Sequence, residues 1–343
     1  MYPQPMLYGP RYAYQPKKSN AGVIVAVALL GVVVVVGGLI AAVALSGPSR
    51  HVAEPGYSSY PTPTYTTPTY STYQPTYTTP RSTYTTAPTS AYSTAASATQ
   101  EPAGPRAVRK TKDNPLLTDS STGLPNASCK LARWGNTPQA SRAFFESARP
   151  CLDRVWQTAL DDAGLPFEVP SLAFPTGTQW SSPCGNSSNG NVAAFYCGRN
   201  QTLYMPFDGL QVPQYGAHPG VYLAVFAHEY GHHAQQMSGI METYWEQRYD
   251  AGTDSPAGLE LSRRNELMAQ CFSGMFLGST VNRGGDVDDN IYREAWQSED
   301  RGDRSGPRDH GSIDHYISWW QQGATKNRFA QCNTYNTSPG NVS

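Results

Sequence analysis

Residues 225–237 read VFAHEYGHHAQQM, which places His228, Glu229 and His232 in the order H-E-x-x-H. On a helix, positions i and i+4 lie one turn apart on one face, so His228 and His232 can aim imidazole nitrogens at a single cation. Glu229 is turned about 100° from His228, close enough to meet a water on that cation without ligating it. That is the placement of a general base. Zinc suits such donors: it lowers the pKa of its water toward about 7 and polarises a carbonyl. The chemistry expected is hydrolysis of a peptide bond, with Glu229 taking the proton of a zinc-bound water. A five-residue motif also arises by chance on surface helices. The apolar run at 223–227 and the uncharged Tyr230 and Gly231 count against that alternative.

Two histidines do not complete a zinc site, so a third protein ligand must be found. A metzincin would carry Gly three residues after the second histidine and His three further on; this chain has Gln235 and Ser238. The adjacent His233 is rotated about 100° from the His228–His232 face. It is expected to back the site, cap a neighbour or face solvent. An acidic residue on a following helix remains, and Asp254, Glu260 and Glu266 are the choices. NELMAQC puts Glu266 inside a helical pattern beside Leu267, Phe272 and Met275. A carboxylate in such surroundings needs a partner, and a metal is one. Glu266 is therefore the expected third ligand, while Glu260 and Asp254 read as helix-start and loop residues.

The elements that must position these groups are legible in outline. Helical periodicity runs from a Thr137-Pro138 start toward Gly164, as one or two helices. A helix over about 221–237, stopped near Gly239, carries the histidines. Another over about 259–277 carries Glu266, and a later one covers DHYISWWQQGAT. FEVPSLAFP (167–175) and TLYMP (202–206) read as short strands. The domain is expected to be α+β, helix-rich with a small sheet. Its six cysteines follow the membrane-like segment described next. An even count in an exterior domain favours disulfides. Nearest-neighbour pairing would join Cys129 to Cys151, Cys184 to Cys197 and Cys271 to Cys332.

The 343 residues divide into parts of different physics. Residues 1–20 are a Tyr/Pro-rich tail ending near Lys17 and Lys18. Residues 21–45 are apolar without a charge; as a helix they would reach about 37 Å, enough to span a membrane. Ala42-Val43-Ala44 resembles a signal-peptide cleavage site, but the apolar run is longer than such signals carry. Arg11, Lys17 and Lys18 on one side against Arg50 on the other place the tail in the cytoplasm and the rest outside. Residues 46–111, rich in Ser, Thr, Pro and Tyr, are expected to be a disordered stalk. The catalytic domain is expected over 112–343. A net charge of −1 gives no reason to expect a nucleic-acid partner. The expected partners are a peptide or protein substrate and the membrane, with the oligomeric state open.

Several segments carry a resemblance. VFAHEYGHHAQQMSGI is followed by RRNELMAQCFSGMFLGS, then DHGSIDHY (309–316) and AQCNTY (330–335), with FYCGRNQTLYMPF (195–207) upstream. Over roughly 125–336 this order resembles the bacterial neutral zinc metallopeptidases of the YpfJ-like family. The resemblance implies a zincin-like fold with Glu266 as third ligand, as in gluzincins. In that class an acid four residues beyond the third ligand often orients a metal-bound histidine. Here that position is Gln270, which accepts a hydrogen bond but brings no charge. His310 is expected either to donate to the oxyanion of the reaction or to serve the loop structurally. TLYMP is expected as an edge strand that aligns an extended peptide. A non-catalytic zincin-fold binding module and a cell-wall amide hydrolase are the competing readings.

Overall fold

The computed structural model describes residues 104–188, 192–303 and 308–343. The expected tail, membrane helix and most of the stalk lie outside the described residues. Among the described residues no helix is long and apolar enough to cross a membrane.

The helices are α1 (Pro115–Thr118), α2 (Pro138–Asp162), α3 (Val212–Tyr215), α4 (Pro219–Ser238), α5 (Ile240–Ala251), α6 (Pro256–Thr280), α7 (Asp289–Gln297) and α8 (Ile313–Lys326). The strands are β1 (Ser171–Ala173), β2 (Trp180–Ser182), β3 (Gly185–Ser187), β4 (Phe195–Cys197) and β5 (Thr202–Tyr204). The result is a helix-rich α+β domain with a small sheet. Local chemistry sets the long helices. Thr137 caps α2 by accepting from the Ala140 N–H, and Ser255 caps α6 by accepting from the Gly258 N–H. A proline follows each cap at the first helical position, where a missing N–H costs nothing. Gly239, at φ 87°, ends α4 and begins α5 at the same residue. That left-handed conformation favours glycine.

Helix α4 runs through the interior, and most of its residues are buried. Phe145 of α2 meets Phe226 of α4 at 5.1 Å between ring centroids, and Trp156 of α2 meets Phe272 of α6 at the same distance. On the other side, α6 packs most extensively against α8. Glycines make this contact. A methyl on Gly274 or Gly278 of α6 would collide with the carbonyl oxygens of Trp320 and Ala324. One on Gly323 of α8 would collide with that of Cys271. The three disulfides are Cys129–Cys151, Cys184–Cys197 and Cys271–Cys332, the nearest-neighbour set.

The sheet departs from expectation. Its order is β1-β5-β4, with β5 parallel to β1 and antiparallel to β4. TLYMP therefore supplies the buried central strand, not an edge. Its backbone groups are committed to both neighbours, so it cannot pair with a peptide; β1 and β4 are the edges. FEVPSLAFP yields only three strand residues because Pro170 and Pro175 bound it and bring no N–H. The segment before α1 also pairs with the end of α4. The Val108 N–H donates to the Ser238 carbonyl at 3.0 Å, and Asn114 Nδ2 donates to the same oxygen at 2.9 Å. That carbonyl, at the end of α4, has no helical partner of its own.

Candidate metal centre

One turn of α4 and one turn of α6 face each other at the candidate site. Glu266 Oε2 lies 3.2 Å from His228 Nε2 and 3.1 Å from His232 Nε2. The candidate ligand atoms of these residues all lie within 4.8 Å of one another. Donors 2.0–2.1 Å from one tetrahedral zinc would stand about 3.3 Å apart, close to the observed contacts. Both histidines are buried, and the Glu266 side chain is 16% exposed. Gly231, between the histidines, lets the helices close up. A methyl there would stand only 3.1 Å from the Ala269 carbonyl oxygen of α6.

The outer ring nitrogens decide whether these histidines can ligate. His228 Nδ1 lies 2.9 Å from Gln270 Oε1, and His232 Nδ1 lies 2.8 Å from Gln235 Oε1. An amide oxygen only accepts, so each Nδ1 carries the hydrogen and donates. Each Nε2 is thereby the inward-facing nitrogen, as metal ligation requires. The amides are held in turn. Gln235 Nε2 donates to the Asn265 carbonyl at 2.8 Å. Gln270 Nε2 donates to Glu299 Oε2, and Arg301 Nη2 donates to both oxygens of Glu299 at 3.1 and 3.2 Å. Gln270 is fully buried and Glu299 is 1% exposed. Burial raises the Glu299 carboxyl above its ordinary pKa, against the opposing pull of Arg301 and the Gln270 amide.

In the absence of a cation the ligand set shares protons. Burial opposes a charge on His232, but Glu266 outweighs it and lifts the imidazole to about 9. Burial likewise opposes the Glu266 carboxylate, yet His232, His310 and His228 hold it well below its ordinary range. Two imidazole nitrogens and one ionised carboxylate converging on one point form a ready site for a divalent cation, and a His₂Glu set is a zinc donor set.

Glu229 is 8% exposed, and no side chain among the described residues hydrogen-bonds to its carboxylate. His310 stands on the loop before α8 with Nε2 3.8 Å from Glu266 Oε2, and its Nδ1 is 2.7 Å from Asp309 Oδ1. Asp303 receives the His310 and Gly311 backbone N–H groups and fixes the turn. His310 thus stands beside Glu266. The Tyr316 ring lies 6.1 Å from that of His228. His233 does not reach the ion site. It is fully buried between the sheet and α4, with Nε2 2.7 Å from the Glu168 carbonyl and Nδ1 3.1 Å from the Tyr196 hydroxyl.

Sequence reasoning missed Gln235, Glu299, Arg301 and Asp309. Gln235 had a signal, since it follows His232 by three residues on one helix face. Glu299 and Arg301 had none, because they sit in the polar stretch QSEDRGDR, which shows no periodicity.

Two histidines and a glutamate around one point, with the Glu229 carboxylate beside them, form a candidate metal site. Comparison with known families agrees. Residues 115–335 match the family described as "Putative neutral zinc metallopeptidase", and the chain belongs to it. It is 33% identical over 138 residues to the uncharacterized protein Rv2575 of Mycobacterium tuberculosis (strain ATCC 25618 / H37Rv). That alignment covers 38% of this chain and 43% of that protein, so the chain spans less than half of the mycobacterial relatives it matches. It is 27% identical over 239 residues to the uncharacterized protein YpfJ of Escherichia coli (strain K12), covering 65% of this chain and 81% of that one. No solved structure matches the chain.

Proposed function

We propose that this domain is a zinc-dependent peptidase held outside the cytoplasmic membrane by the apolar segment at 21–45. The observation that carries the catalytic reading is the convergence of His228, His232 and Glu266 beside an unengaged Glu229. Family membership supports the same reading. Zinc held by the three ligands would supply Lewis acidity to a substrate carbonyl and to water. Glu229 removes the proton from the attacking water and returns it to the departing amine. His310 presents Nε2 to the developing oxyanion, and Asp309 holds its other nitrogen. Three disulfides support an oxidising location.

The test uses the full chain. Wild type should carry one zinc and cleave an unstructured protein substrate. Glu229→Gln should keep the zinc and lose cleavage, while Glu266→Ala should lose zinc. Normal cleavage by the Glu229 variant would overturn the mechanism, and unchanged zinc in the Glu266 variant would overturn the ligand assignment. Zinc-loaded wild type without activity on any peptide would favour the binding module. Protease protection of the domain in intact cells would refute the location.

A further inference from the structure

The buried chain His228–Gln270–Glu299–Arg301 leads away from the candidate zinc. We propose that Glu299 is a positioning residue for the metal, acting through the amide of Gln270 to fix the tautomer of His228. This rests on the zinc-peptidase reading above and assigns a role to a loop carboxylate beyond the ligand set.

The two ends of one amide are decisive. Gln270 has an oxygen that accepts and a nitrogen that donates, and either could face His228. With the oxygen toward His228, Nδ1–H donates to it and the Nε2 lone pair is free for a metal. With the nitrogen toward His228, Nδ1 must be the acceptor, and the hydrogen moves to Nε2, where it blocks ligation. Nothing in His228 itself chooses between these states. Glu299 does, because an ionised carboxylate can only accept, so it demands the Gln270 N–H₂ group on its side. Reversing the amide would set its oxygen against a buried carboxylate. Arg301, bonded to both oxygens of Glu299, keeps that charge compensated. The carboxylate also polarises the amide and strengthens the hydrogen bond from His228. A neutral side chain thus does the work of the acid expected at position 270, with the charge placed one residue further out.

The chain predicts a dependence that reverses sign with the residue at 270. In wild type, Glu299→Gln lets the amide turn over and should weaken zinc binding 10–100-fold, the usual cost of losing such support. In a Gln270→Asp background an acid contacts His228 directly, and Glu299 becomes a second buried anion beside it. There Glu299→Gln should leave zinc affinity unchanged or improve it. Affinity would be measured by competition with a chromophoric chelator on the full chain, beside the ¹⁵N chemical shifts of the His228 ring. The shifts should report a protonated Nδ1 in the wild type and a mixture with unprotonated Nδ1 in Glu299→Gln. If Glu299→Gln fails to fold because Arg301 is left unpaired, the Glu299→Gln/Arg301→Gln pair removes both charges and takes its place. Unchanged affinity in Glu299→Gln, or an equal loss in both backgrounds, would overturn the proposal. Wild type that binds no zinc would instead overturn the reading beneath it.

Discussion

His233 offers a test of the framework that needs no substrate. Its Nε2 faces the Glu168 carbonyl, which can only accept, so Nε2 carries the hydrogen and Nδ1 accepts from the Tyr196 hydroxyl. A second proton would have to enter at Nδ1, in a fully buried place already filled by a donor. Burial accordingly pushes the imidazole down to about 4, against the milder pull of the Glu168 carbonyl. The unfolded chain takes up that proton near pH 6.5 and the native state near 4. Stability from this group is therefore whole above 6.5 and lost as the pH falls toward 4. A gap of about 2.5 units corresponds to roughly 3 kcal/mol in full, and to about 2 kcal/mol at pH 5. Urea unfolding of wild type and His233→Gln, compared at pH 7 and pH 5, isolates the effect because both proteins keep every other titrating group. Glutamine supplies a donor and an acceptor but no proton site. Wild type should lose about 2 kcal/mol more than the variant between those pH values, near 5 °C in melting temperature. Parallel stability curves would refute the tautomer and the burial argument together.

Two other expectations concern the zinc ligands and a disulfide. Since His232 holds a proton up to about 9 in the metal-free domain, zinc must displace it. Apparent zinc affinity should rise about tenfold per pH unit between 6 and 8 by isothermal titration; a flat profile would move that proton elsewhere. The Cys271–Cys332 bridge closes a separation of 61 residues, a constraint on the unfolded chain of about 4 kcal/mol. Replacing both cysteines by alanine should lower the melting temperature by roughly 10 °C in calorimetry. A shift under 2 °C would show that the unfolded chain gains little freedom from losing the bridge.

What the sequence discloses, and what it hides, follows from the range of the interactions. His228, Glu229 and His232 share one helix, so a fixed spacing reveals them. Glu266 is found because a carboxylate stands out in an apolar helical pattern. The capped ends of α2 and α6 are local chemistry and equally legible. Helix α5 is hidden because Gly239 reads as a stop, whereas its left-handed residue joins two helices with no loop between them. Helix α7 is only nine residues long and depends on Asp288 accepting from the Asn290 and Ile291 N–H groups. The central place of β5 depends on partners at residues 171–173 and 195–197, which no local pattern announces. Glu299 is the extreme case, because its meaning comes entirely from an amide 29 positions earlier.

The glycine seam between α6 and α8 has a consequence for how this domain can vary. Most helix contacts hold side chains between their axes, and such a layer can be exchanged for another of equal volume. At Gly274, Gly278 and Gly323 no layer exists, and carbonyl oxygens occupy the space a methyl would need. Drift at these positions has no conservative step to take, since alanine is already too large. The helix that supplies Glu266 and Gln270 is thereby locked to its neighbour through main chain. Change is left to positions where side chains, not main chain, fill the space between elements.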